Sequence, residues 1–106
     1  MGKHMQALND ENFEGVIKSG VTLVDFFADW CGPCRMLTPI LEDVSEELHK
    51  QVTFGKLDID QSFKIAGTFQ VTSVPTLILF KNGKEVGRLV GLRDASTIKE
   101  FAKSAL

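Results

Sequence analysis

Val21-Thr22-Leu23-Val24-Asp25-Phe26-Phe27-Ala28, followed at once by Asp29-Trp30-Cys31-Gly32-Pro33-Cys34 and then by apolar residues at helical spacing, is the stretch on which the fold turns. The first eight residues form a β-branched and aromatic run broken only by Thr22 and Asp25. Such a run suits a central strand covered on both faces of a parallel or mixed sheet. Beyond the cysteines, Leu37, Ile40, Leu41, Val44 and Leu48 recur with the period of a helix, so a long amphipathic helix is expected from near Cys31 to about His49. Pro39 inside it predicts a kink.

Working outward from this strand and helix, the rest of the chain alternates in the same way. Asn9 or Asp10 can cap a short helix with Phe13, Val16 and Ile17 inward and Gly20 just past its end. Val52 to Asp58 reads as a strand and Ser62 to Phe69 as a weaker helix. Thr76 to Lys81 and Glu85 to Val90 flank Asn82-Gly83, a dipeptide that tolerates positive φ at both positions and therefore predicts a tight antiparallel hairpin. Asp94 caps a last helix with Ile98, Phe101, Ala102 and Ala105 inward. With a short strand at Gln6 to Leu8, the order implies an α/β fold: a central mixed sheet of four to five strands flanked by about four helices.

A chain of 106 residues with 43% apolar composition can bury one core, so residues 5 to 106 are read as a single domain. Residues 1 to 4 have the look of a vector-derived leader ahead of Met5. Twelve basic and fourteen acidic residues are interleaved, with a formal charge of -2 and no basic block. Nucleic-acid and membrane partners are therefore not expected. No apolar run approaches the roughly 20 residues needed to span a bilayer, and Asp10, Glu11 and Glu14 interrupt the stretch a signal peptide would need, so a cytoplasmic location is expected.

Two cysteines three apart at a helix start lie about one turn from each other, and their sulfurs can bond with little backbone movement. Cys31 sits where unpaired N–H groups and the positive helix end favour a thiolate, which makes it the nucleophile. Cys34, one turn further in among apolar neighbours, should be the more buried of the two and suits the resolving role. Pro33 is tolerated in a first helical turn, and Gly32 lets another chain approach the sulfur. Such a pair has two other uses. A zinc site needs four ligands, yet beyond the two thiols there are only His4 and His49, the latter roughly five helical turns away. A permanent disulfide across two intervening residues restricts the unfolded chain very little, and a reducing compartment would not maintain it.

Val24-Asp25-Phe26-Phe27-Ala28-Asp29-Trp30-Cys31-Gly32-Pro33-Cys34-Arg35-Met36 resembles the active-site signature of the thioredoxin family, and the similarity extends from about Asn12 to Leu106. The resemblance implies a thioredoxin fold and a protein-disulfide reductase working by dithiol–disulfide exchange through Cys31 and Cys34. Gly32-Pro33 between the cysteines is similar to the reductases rather than to the related oxidases, isomerases and glutaredoxins. It implies further that no cofactor is bound and that electrons come from NADPH through a thioredoxin reductase. The implied partners are that reductase and disulfide-containing target proteins, with the chain itself a monomer. A redox-independent scaffold role is the rival reading, and the intact cysteine pair argues against its being the only role.

Asp25 resembles the family's buried aspartate, which accepts the proton of the resolving cysteine through water, and Lys56 resembles the lysine near it. The apolar run alone left open whether Asp25 is buried with a shifted pKa or solvated on an edge strand. Val74-Pro75-Thr76 resembles the family's cis-proline loop, which lies against the sulfurs and offers the Val74 backbone to a substrate. By the same resemblance Trp30, Gly32, Pro33, Ser73, Val74, Pro75 and Gly91 form a flat docking surface. On sequence alone, Pro75 could merely open a strand and Gly91 merely end one. Phe27 and Ser73 depart from the family pattern, where tryptophan is frequent at the first position and glycine at the second.

Overall fold

The computed structural model describes residues 2–106. Its elements follow the order read from the sequence: β1 (Met5–Leu8), α1 (Phe13–Ile17), β2 (Val21–Phe27), α2 (Gly32–Leu48), β3 (Thr53–Asp58), α3 (Phe63–Thr68), β4 (Thr76–Lys81), β5 (Lys84–Val90) and α4 (Ala95–Lys103). The five strands lie in the order β1-β3-β2-β4-β5. β1 and β2 both run parallel to β3, while β4 is antiparallel to β2 and β5 to β4. The run Val21 to Phe27 is thus the middle strand, with hydrogen-bonded neighbours on both sides and almost no exposure. That is the burial its largely apolar composition predicts.

Strand periodicity divides β2 between two cores. Val21 and Leu23 join Leu37, Leu41, Val44 and Leu48 of α2 and Ile98 and Ala102 of α4 on one face. Val24 and Phe26 join Phe13 and Ile17 of α1 and Ala66 of α3 on the other. Successive residues of a strand point to opposite faces, so Asp25 lies on the α2 side with Val21 and Leu23. In β3, Lys56 is the register partner of Asp25.

Local signals set the element ends. Asp94 accepts the Thr97 N–H at 2.9 Å, as a helix cap should. Asn82 and Gly83 take φ of 51° and 86° and close the β4–β5 hairpin. α2 spans the expected range, with Cys31 and His49 as its two caps, and continues through Pro39 as one element.

One local expectation is corrected. Neither Asn9 nor Asp10 is the cap of α1, which is Asn12. The Asn9 side chain accepts from the Glu11 and Asn12 N–H groups in the turn before that helix. Asp10 reaches across the fold instead and accepts the Ile65 N–H at 3.0 Å. α3 draws on this distant carboxylate because its own cap residue, Ser62, makes no side-chain bond to the first turn.

Candidate active site

The C-terminal ends of β2 and β3 meet the start of α2, and the Ile59 N–H bonds the Phe27 carbonyl at 2.9 Å just beyond both strands. Cys31 is the cap of α2, with φ -90° and ψ 112°, and Gly32 and Pro33 occupy the first two helical positions. Its Sγ accepts the Cys34 N–H at 3.1 Å. A sulfur that receives a helix-terminal N–H is favoured as an anion. Cys31 and Cys34 are joined as a disulfide with Cα atoms 5.3 Å apart.

Ala28, Cys31 and Cys34 form a small buried cluster, against which Phe27, Ile59 and Val74 pack. The two cysteines are equally buried, at 4% and 3% exposure, so burial does not separate their roles as expected. Ile59 and Val74 come from other loops and pack against the cluster that holds both cysteines, which the sequence spacing could not reveal. What does separate the two is position. Cys31 is the cap, and its Sγ lies 3.7 Å from the Val74 carbonyl oxygen, whereas Cys34 lies within the helix and lines a cleft on the inner side.

Asp25 is 1% exposed, and neither carboxyl oxygen has a hydrogen-bond partner among the described residues. Burial in these surroundings pushes its carboxyl up to about 7, with Lys56 pulling the other way. The Lys56 Nζ sits 4.6 Å from the centre of the Phe27 ring. A cleft of about 130 Å³ is lined by Phe27, Cys34, Arg35, Thr38 and Lys56 among others, so Cys34 and Lys56 border the same space.

The peptide bond Val74-Pro75 is cis. The Pro75 carbonyl accepts the Gly91 N–H at 2.8 Å, and Gly91 holds φ of 96°, a conformation glycine adopts without strain. This bond ties the end of β5 to the loop whose Val74 carbonyl lies beside Cys31. Of the expected docking residues, Trp30, Pro33 and Ser73 are exposed and Gly32, Val74 and Gly91 partly so. Pro75, where the chain enters β4, is buried.

Two participants were not singled out from the sequence. Asp60 Oδ2 accepts the Trp30 indole N–H at 2.9 Å, and the Arg35 guanidinium donates to the Asp29 carbonyl at 2.8 Å. Both are common surface residue types whose spacing carries no signal. The histidines weighed as zinc ligands lie at the far end of α2, stacked with ring centres 3.6 Å apart. Among the described residues no group of three or more His, Cys, Asp or Glu side chains could hold a metal ion, and no helix is long and apolar enough to cross a membrane.

The family model described as Thioredoxin matches residues 4–104. The chain belongs to the thioredoxin family. A thioredoxin of Chlamydia pneumoniae is 58% identical over 97 residues, covering 92% of this chain and 90% of that protein. One from Staphylococcus saprophyticus is 41% identical over 99 residues, covering 93% and 95%. A mutant thioredoxin from Halobacterium salinarum NRC-1 superimposes with a TM-score of 0.90 at 35% identity, covering 96% of this chain and 90% of that one. As a thioredoxin-family protein with this cysteine pair, the chain is a protein-disulfide oxidoreductase that reduces disulfide-containing targets and contributes to cell redox homeostasis. The family needs no bound cofactor, since the two sulfurs carry the electrons.

Proposed function

We propose that the reaction runs in two steps divided between the cysteines. The Cys31 thiolate attacks one sulfur of a target disulfide docked along Val74, forming a Cys31–target disulfide and releasing the other target sulfur as a thiolate that takes up a proton. The Cys34 thiol then loses its proton to the Asp25 carboxylate through water in the cleft and attacks Cys31 Sγ. That breaks the mixed disulfide, releases the second target thiol and leaves Cys31 and Cys34 joined. The observation that carries this order is the Cys31 Sγ at the helix cap, accepting the Cys34 N–H beside the Val74 carbonyl.

Lys56 supports the ionised form of Asp25 across the β2–β3 register, and Trp30, Gly32, Pro33, Ser73, Val74 and Gly91 receive the target, with Pro75 shaping the loop. Electrons return from NADPH through a thioredoxin reductase, which docks on the same surface. In this reading residues 5–106 act as one domain behind a leader at residues 1–4, as a cytoplasmic monomer.

The test is dithiothreitol-driven reduction of a model protein disulfide. Wild type accelerates it and neither Cys31→Ser nor Cys34→Ser does, while Cys34→Ser accumulates a target bound through Cys31. Acceleration by Cys31→Ser equal to wild type would overturn the assignment.

A further inference from the structure

Eight phenylalanines are present, and seven are buried or half-buried. Phe63 is the exception at 67% exposure, close to Trp30 at 68%. Single exposed apolar side chains are ordinary on protein surfaces. This one stands at a particular place. β3 ends beside β2, Ile59 then packs against the cysteine cluster, and Asp60 binds the Trp30 indole. Phe63 follows three residues after Asp60 as the first residue of α3, at the same end of the sheet as Cys31.

The segment that presents the ring is held throughout. Asp58 accepts the Asp60 N–H with its carboxylate at 2.9 Å and the Ser62 N–H with its carbonyl at 2.8 Å. The Asp10 carboxylate holds the Ile65 N–H of the same helix from across the fold. An aromatic ring on a segment already ordered has little freedom left to lose when a partner covers it, so its burial converts efficiently into affinity.

We propose that Phe63 continues the target-docking surface past Trp30 on the α3 side, and that it selects protein disulfides flanked by a bulky apolar side chain. The inference rests on the docking surface proposed above, which it extends through the bond between Trp30 and Asp60. The occupant is the apolar residue of the target itself. A disulfide-bearing segment lying along Val74 reaches beyond the sulfurs on both sides, and towards α3 the exposed large apolar side chains are Trp30, bonded to Asp60, and Phe63, three residues after Asp60.

The experiment uses two synthetic peptide disulfides, identical except that the residues flanking the cysteine are leucines in one and serines in the other, with 2-hydroxyethyl disulfide as a small reference substrate. Wild type prefers the leucine peptide. In Phe63→Ser, kcat/KM for the leucine peptide relative to the reference falls about tenfold, equivalent to ~1.4 kcal/mol, through a raised KM. The serine peptide changes little by the same ratio, and Phe63→Leu restores most of the preference. A preference unchanged in Phe63→Ser, or absent in wild type, overturns the role of Phe63 and leaves the underlying mechanism standing. Reduction of either peptide by Cys31→Ser at the wild-type rate overturns the mechanism itself and the inference with it.

Discussion

At the start of α2 and at the start of α4, an extended residue turns the chain into a helix and its side chain accepts the N–H three residues on: Cys31 from Cys34 at 3.1 Å, Asp94 from Thr97 at 2.9 Å. The backbone donors are alike, but the acceptors and their surroundings differ. At Asp94, which is exposed, the bond from Thr97 holds the carboxyl below its ordinary value and the result is structural. At Cys31 the acceptor is a sulfur beside the Val74 carbonyl, and the same preference for a negative acceptor makes a nucleophile. A helix start becomes reactive when its acceptor can change bonding partners.

The largest effect that could break this comparison is chemical. Serine is a competent cap, so Cys31→Ser should leave the stability of the reduced protein within about 1 kcal/mol by urea unfolding, while catalysed disulfide reduction falls to the uncatalysed rate. A loss of several kcal/mol would mean that Cys31 serves mainly as structure, as Asp94 does.

Next in size is Asp25, the carboxyl placed where Asp94 is not, under a helix with no hydrogen-bond partner. Because its folded value of about 7 lies above the unfolded 3.8, the unfolded chain ionises first as pH rises. The resulting cost is absent below the unfolded value, grows between the two, and is constant above about pH 7. At about 1.4 kcal/mol per unit it reaches about 4 kcal/mol, offset in Asp25→Ala by a small cavity cost. Asp25→Ala should therefore be more stable than wild type in urea at pH 7.5 and no more stable at pH 3.5. In stopped-flow measurement its mixed disulfide should resolve about 100-fold more slowly, the lower end of the usual loss of a general base. The wild-type resolution rate should rise with pH through about 7 as Asp25 ionises.

The smallest effect is at Asp94 itself. Its folded value is depressed, so its contribution is present above the unfolded value and fades as pH falls through the folded one. Asp94→Asn keeps an acceptor but loses the charge. Thermal unfolding should give it a slightly lower Tm than wild type at pH 7, with the two converging at pH 2.5. Asp94→Ala should stay lower at both, since it removes the cap altogether.

The local signals decided most of the elements. The alternation of apolar runs and helical periods gave the order of eight elements and left the strand count at four to five, which β1 settles at five, and Asn82-Gly83 and Asp94 marked their hairpin and cap because those residue types act on their own backbone. Asp10 shows where such reading fails: a capping residue one helix start away from α1 serves α3 instead, and the Asp10–Ile65 bond joins residues 55 apart. In the site, the cysteine pair and its helix start were legible because reactivity there depends on residues three apart. The equal burial of Cys31 and Cys34 was not, since it depends on Ile59 and Val74.

The sequence by itself therefore determined the redox pair, the central strand that leads into it and the family, through short-range spacing and the mostly apolar run that a middle strand can bury. Only the tertiary structure decided that Asp25 lies on the α2 side with no hydrogen-bond partner among the described residues, that the cis Val74-Pro75 bond lies beside Cys31, and that Asp60 bonds the Trp30 indole. These are relations between strands and loops far apart in the chain. They exist only once the sheet order β1-β3-β2-β4-β5 brings those segments to one end of the molecule.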